Sequence, residues 1–161
     1  MKEKLQKEIL ENTDNSHKTL QALPYLNAVM KETLRYYGPT NNIMGRIAIK
    51  DHYLDNIFIY KGTSLNILSH AIHRNPIYYK DPHVFNPQRW IDQPNNIPFT
   101  FNSFSSGQRN CVGQHMAQME ARIIVNYFIK TFEFECDDNY EMIYVPSFLH
   151  GPLHKLRINL K

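Results

Sequence analysis

The sequence predicts a mainly α fold with small β-sheets, an α+β arrangement, and three observations carry that prediction. Apolar residues step by three or four through Leu23, Leu26, Met30, Leu34 and Tyr37, and again through Met116, Met119, Ile123 and Tyr127, which is the helical period. Between them lie only short β-rich runs, "IMGRIAI" from Ile43 to Ile49 and "IFIY" from Ile57 to Tyr60. Between Asn75 and Asn110 prolines recur among Asn, Asp and Ser, yet Tyr78, Tyr79, Phe85, Trp90, Phe99, Phe101 and Phe104 load the stretch with aromatic surface, which argues for a packed loop rather than disorder.

The elements follow in order. Leu5 and Ile9, one turn apart among charges, predict a first short helix, and Asn12 to Ser16 is turn chemistry. The second helix tolerates Pro24 in its first turn and stops at Gly38-Pro39. "KDHYLDN" reads as a turn between the two β-rich runs and "KGT" (Lys61 to Thr63) as another; "SLNILSHAIH" reads as a strand entering a short helix. The helix after Gly113 also carries Ala117, Ile124 and Phe128, an apolarity wide enough to predict that it is buried. "FEFE" and "KLRINL" alternate and predict closing strands. The regions are thus 1–37, 43–70, 75–113, 113–131 and 132–161 of a single domain.

A chain of 161 residues fits one domain. Its 42% hydrophobic and 20% charged content is globular, and a net charge of +3 without a Lys/Arg block argues against nucleic acid as partner. Cys111 and Cys136 form no CxxC or Cys/His ladder, which argues against structural zinc. The N-terminal residues lack the apolar core of a signal peptide, and no run approaches bilayer length.

The chemistry concentrates at Cys111. A cysteine at a helix mouth sits in the field of unpaired N–H groups, which favours the thiolate. Arg109 adds a cation, and Gly107 and Gly113 let the backbone turn. Such a thiolate can be a nucleophile, a metal ligand or a bystander in an anion site. A phosphatase-type loop lacks its arginine, because the sixth residue on is Ala117; His115, along the same helix, is badly placed as a thiol's base. A small buried hydrophobe explains the cysteine but not its glycines and arginine. Metal ligation explains more, and one cysteine alone points to a cofactor that brings its other ligands, as haem does.

The segment Phe104-Ser-Ser-Gly107-Gln-Arg109-Asn-Cys111-Val-Gly113 resembles the haem-ligating F-x-x-G-x-R-x-C-x-G loop of the cytochrome P-450 family at every fixed position. "KETLR" (Lys31 to Arg35) resembles its E-x-x-R helix and "FNPQRW" (Phe85 to Trp90) its F-x-P-x-R-F/W segment. The resemblance covers nearly the whole chain but only the C-terminal, proximal haem-binding part of the family fold. It implies haem b, with Cys111 as axial thiolate and iron ligand, Arg109 on a propionate, Phe104 beside the sulfur, and Gly107 and Gly113 shaping the loop. Arg46 matches, more loosely, a second propionate arginine. Glu32, Arg35 and Arg89 would form a buried structural triad; on a helical wheel, however, Glu32 and Arg35 lie opposite the leucine stripe, where a surface pair is worth about 0.2–0.5 kcal/mol.

The implied reaction is monooxygenation, one oxygen atom of O2 entering a small organic substrate, with electrons reaching the proximal face from a reductase and so indirectly from NADPH. Isomerase or dehydratase chemistry on the same thiolate is the alternative within the family, and a non-catalytic haem-binding module or decayed fragment the alternative outside it. The distal helix is expected upstream, so the isolated chain is expected to be inactive, with apolar faces left uncovered. Membrane attachment is expected only through the N-terminal part, with the endoplasmic reticulum membrane the location for a full-length eukaryotic relative. Thr40, Asn41, Asn42, Phe148 and Leu149 fall where the family lines its substrate pocket.

Overall fold

The structure is a computed structural model that describes residues 1–40, 42–92, 97–136, 143, 151–152 and 158–161. Asn41, Phe148 and Leu149 lie outside the described residues. Six helices and three two-stranded antiparallel sheets are found among the described residues, so the mainly α expectation holds.

Helices α1 (Lys2–Glu11), α2 (His17–Ala22), α3 (Pro24–Tyr37) and α6 (Gln114–Thr131) enclose the apolar core. That core is small: Ile9, Leu20, Leu26 and Ile129, with Leu5, Leu23, Met30, Val125 and Phe134 packed against it. Each full burial of such a side chain contributes about 1.5–3 kcal/mol. Between α1 and α2, the Asp14 carboxylate accepts the N–H and hydroxyl of Ser16 and the hydroxyl of Thr19, so the loop is tied before α2 starts. Those bonds, that from Thr19 foremost, hold the Asp14 carboxyl below its usual range.

Helix α3 begins at Pro24, where the missing N–H costs nothing. Leu23, its N-cap, has no side-chain acceptor to offer. The deficit is met from α1, where the two Glu8 carboxylate oxygens accept Tyr25 N–H at 2.8 Å and Leu26 N–H at 2.7 Å. At the other end a Cβ on Gly38 would lie 2.6 Å from the Leu34 carbonyl oxygen, so only glycine fits there.

The middle of the chain forms β1 (Asn42–Ile47), β2 (His52–Leu54), β3 (Ile57–Ile59) and β4 (Ser64–Leu68). β1 pairs with β4, with an irregularity between Ile43 and Arg46. β2 corrects the reading of "KDHYLDN" as turn throughout: His52 to Leu54 pair with β3, and only Asp55 and Asn56 turn, Asp55 with φ 53°. Too short to show a period, β2 exists because β3 lies opposite it. The Lys61-Gly62 turn closes with Thr63 N–H to Tyr60 C=O at 3.1 Å. Then come α4 (Ser69–His73) and the proline-punctuated segment, which contains α5 (Arg89–Asp92). β5 (Phe134–Cys136) pairs with β6 (Ile158–Leu160).

Helix α6 overturns a second expectation. The stripe that predicted burial faces outward: Met116, Ile123, Ile124 and Tyr127 are exposed. Its inner side carries Arg122, Val125, Asn126 and Ile129. Arg122 donates to Asn27 at 2.8 Å, Asn126 to Asn15 at 3.0 Å, and Lys130 to the Asn12 carbonyl at 2.6 Å. Polar partners on α3 and the α1–α2 loop draw that side inward, and the described residues leave the apolar stripe uncovered.

Candidate functional site

Two linked constructions make up the site: a buried charge cluster on α3, and the loop that ends at Cys111. Helix α3 is buried on two sides. Leu26 faces the apolar core, while the buried Glu32 and Arg35 lie on a second face against the segment from His73 to Trp90. Glu32 and Arg35, opposite the leucines on a helical wheel, are 0% and 1% exposed.

Glu32 gathers five donors on two oxygens. Oε1 accepts Arg35 Nη2 at 2.8 Å, the Asn86 N–H at 2.8 Å and Arg89 Nε at 3.2 Å. Oε2 accepts Arg35 Nε at 2.9 Å and the Trp90 indole N–H at 2.9 Å. Burial pushes the carboxyl's pKa up, but the Arg35 bonds, the Asn86 amide and the Trp90 indole outweigh it and hold the pKa below its usual value. Arg35 spends all five of its N–H groups: two on Glu32 and three on the carbonyls of His73, Pro82 and Val84. Arg89 adds the carbonyls of Lys80, Asp81 and Val84. Each arginine therefore ties an irregular loop, whose carbonyls have no ladder partners, to a rigid helix. Glu32, Arg35 and Arg89 come together as one cluster.

The cysteine loop is closed by its own backbone. The Cys111 N–H donates to the Phe104 carbonyl at 2.9 Å, bridging seven residues. Inside the closure Ser105 has φ 64° and Gly107 φ 75°, and a short 3-10 turn spans Gly107–Arg109. Gly107 thus occupies the left-handed region that glycine enters without strain. Gly113 does not: its φ is −83°, open to any residue, and a Cβ built there would meet only the Cys111 sulfur, at 3.9 Å. Phe104 is half-buried, Arg109 is exposed on the turn, and Cys111 is exposed and in no disulfide. Gly113 is the N-cap of α6, and Gln114 N–H donates to the Cys111 carbonyl at 3.3 Å. Arg46 is exposed on β1 opposite Leu65, with Nη1 donating to the Gly45 carbonyl at 3.2 Å.

The family model described as Cytochrome P450 matches residues 1–157. The chain belongs to the cytochrome P450 family. Among curated P450 relatives, Probable cytochrome P450 4s3 of Drosophila melanogaster is 34% identical over 122 residues, which is 75% of this chain and 24% of that protein. Cytochrome P450 11B1, mitochondrial, of Sus scrofa is 34% identical over 135 residues, 82% of this chain and 27% of that one. The solved structure described as retinoic acid bound cyanobacterial CYP120A1 superposes with a TM-score of 0.88 at 25% identity, covering 99% of this chain and 38% of its own. The chain spans about a quarter of the length of these curated relatives.

P450 membership implies a haem cofactor and an oxidoreductase family of the haem-thiolate monooxygenase type. The donor set fits that group. Among the described residues no cluster of three or more His, Cys, Asp or Glu side chains could hold a bare metal ion. A lone exposed thiol suits an iron that brings its equatorial ligands with it.

Sequence reasoning missed four contributors. Trp90 and the Asn86 amide complete the Glu32 coordination. Glu8 caps α3 from another helix. His73 is buried behind Arg35. Only Trp90 carried a signal, its place beside Arg89 in "FNPQRW".

Proposed function

We propose that this chain forms the proximal, C-terminal part of a haem-thiolate monooxygenase, in which Cys111 would supply the thiolate that ligates the iron. One observation carries the reading. An exposed thiol ends a backbone-closed loop at the start of a long helix, and among the described residues it belongs to no group of three or more His, Cys, Asp or Glu side chains that could hold a metal ion. Arg109, and more loosely Arg46, would hold haem propionates; Phe104 would pack beside the sulfur; and the missing Cβ at Gly113 would leave room beside the ligand. Haem, when bound, supplies the redox-active iron at which one oxygen atom of O2 enters a small organic substrate. This chain's own work is to hold the thiolate at a fixed place, and Glu32, Arg35 and Arg89 brace the segment that leads into the loop. Electrons come from NADPH by way of a reductase that docks on the proximal face.

The chain alone is inactive in this reading. The outward stripe of α6 and the exposed Tyr53, Phe58 and Tyr60 of the hairpin are apolar surface that a complete P450 fold would cover. A haem held from one side has nothing to exclude water.

The test is spectroscopic. Reconstituted with haem, reduced and treated with carbon monoxide, the protein is expected to show the red-shifted Soret band of a thiolate ligand. Cys111→His should move the band to the position of a nitrogen ligand. An unchanged band in that variant would show the ligand assignment to be wrong. A thiolate band without turnover, in protein completed by the rest of the family fold, would favour the non-catalytic haem-binding module.

A further inference from the structure

His73 hydrogen-bonds both to the charge cluster and to the base of the cysteine loop, beside an edge-on contact of Trp90 with Phe101 at 5.0 Å and a bond from the Ser103 hydroxyl to the Leu34 carbonyl at 3.4 Å. Arg35 Nη1 donates to the His73 carbonyl at 2.8 Å, which fixes the end of α4 against the cluster. The His73 ring is 3% exposed, stacked on Phe101 with centroids 5.6 Å apart and edge-on to Tyr79 at 6.4 Å. Its Nε2 accepts the backbone N–H of Asn102 at 3.2 Å, inside the interior. The Asn102 carbonyl accepts Ser105 N–H at 2.9 Å, and the adjacent Phe104 carbonyl accepts Cys111 N–H at 2.9 Å. A continuous run of bonds therefore leads from Glu32 through Arg35, His73 and Asn102 to the backbone of Cys111.

We propose that His73 is a positioning residue for the Cys111 loop, its ring anchoring the loop's base at the Asn102 amide and relaying to the thiol the place set by the Glu32–Arg35 cluster. The inference rests on Cys111 being the functional side chain of the loop. Two features explain why histidine suits the post. The site asks for a flat ring to stack on Phe101 and for an acceptor at the ring edge. Phenylalanine offers the first alone, glutamine the second alone. Burial, and after it the Arg35 charge and that of His70, lower the His73 pKa to about 4, so at neutral pH the ring is uncharged. With Nε2 accepting, Nδ1 carries the proton.

The loop needs such an anchor. Phe99 and Ser105, on either side of Asn102, both lie in the left-handed region, with φ 63° and 64°. Non-glycine residues stay there only where surrounding bonds over-determine the backbone. Tyr79 supplies one further tie, its hydroxyl donating to the Thr100 carbonyl at 3.1 Å.

The test is amide hydrogen exchange on the full chain without haem, comparing wild type with His73→Phe and His73→Gln. His73→Phe keeps the stack and the backbone carbonyl that Arg35 uses but has no acceptor. Asn102 is expected to exchange about tenfold faster in it, since a buried donor is left unpaired. Ser105 and Cys111 should follow by smaller factors, and the Trp90 indole N–H, held by Glu32, should keep its protection. His73→Gln, which restores an acceptor, should recover most of the protection at Asn102 and Cys111. Unchanged exchange at Asn102 and Cys111 in His73→Phe would overturn the proposal, as would a loop in His73→Gln as loose as in His73→Phe. If His73→Phe fails to fold, His73→Gln decides: native protection at Asn102 supports the role and its loss refutes it. Because no haem is involved, a failure of iron ligation by Cys111 would be seen separately, in the Soret band.

Discussion

Replacing Glu32 with glutamine removes one charge from a place with no water to compensate. The carboxylate is fully buried and accepts five donors, three on Oε1 and two on Oε2. Glutamine can offer its carbonyl where Oε1 stands, and its amide then points two N–H groups at Arg35 Nε and the Trp90 indole. Those two donors lose their acceptor, each at about 1–3 kcal/mol. Arg35, 1% exposed, and Arg89 are left without a counter-charge. Breaking a buried pair in this way costs roughly 3–5 kcal/mol, and we expect Glu32→Gln to fall in that range. Trp90 is the sole tryptophan, and its indole bonds to Glu32, so its fluorescence reports directly on the cluster. With a urea m-value of roughly 2 kcal/mol/M, the unfolding midpoint should fall by about 2 M. The control is Glu11→Gln: Glu11 pairs with Lys7 at 3.9 Å with both side chains mostly exposed, and its loss should cost no more than about 0.5 kcal/mol. A Glu32→Gln cost no larger than that of the control would refute the argument that a stranded charge dominates.

Three further outcomes are expected. Glu8→Ala strips both acceptors from the first turn of α3 and should destabilise the chain by about 1–2 kcal/mol, within the range of lost N-caps, read from the same urea curves. Because the folded His73 pKa lies near 4, below the 6.5 of an ordinary histidine, the unfolded chain binds more protons between those values. The His73 contribution is therefore fully present above about pH 6.5, declines by at most about 1.4 kcal/mol per pH unit on acidification, and is gone below about pH 4; His73→Gln should flatten that limb of a stability–pH profile. On α6, Ile124→Lys replaces an exposed side chain and should change stability by less than about 0.5 kcal/mol while reducing self-association in light scattering. A large loss of stability in that variant would mean that the stripe is covered.

What the sequence by itself determined was local. The end of α3 was legible because a Cβ on Gly38 would strike the helix's own Leu34 carbonyl, and its start because Pro24 tolerates only the first turn. The cysteine loop was legible because Gly107, Arg109 and Cys111 crowd into one short run, and the Gly107 φ of 75° shows that its backbone asks for glycine. Tertiary structure decided what lay across the fold. Periodicity put Glu32 and Arg35 on a polar face and so at the surface, whereas Arg35 is buried by main-chain carbonyls 38 to 49 residues away, acceptors that every residue type carries and no side-chain pattern betrays. It put the apolar stripe of α6 inside, whereas Asn12, Asn15 and Asn27 turn the opposite face inward. The link through His73 was invisible for the same reason, since its partner is the Asn102 amide. A side-chain pattern announces which residues want to leave water; which surface receives them depends on backbone groups that the rest of the fold brings into place.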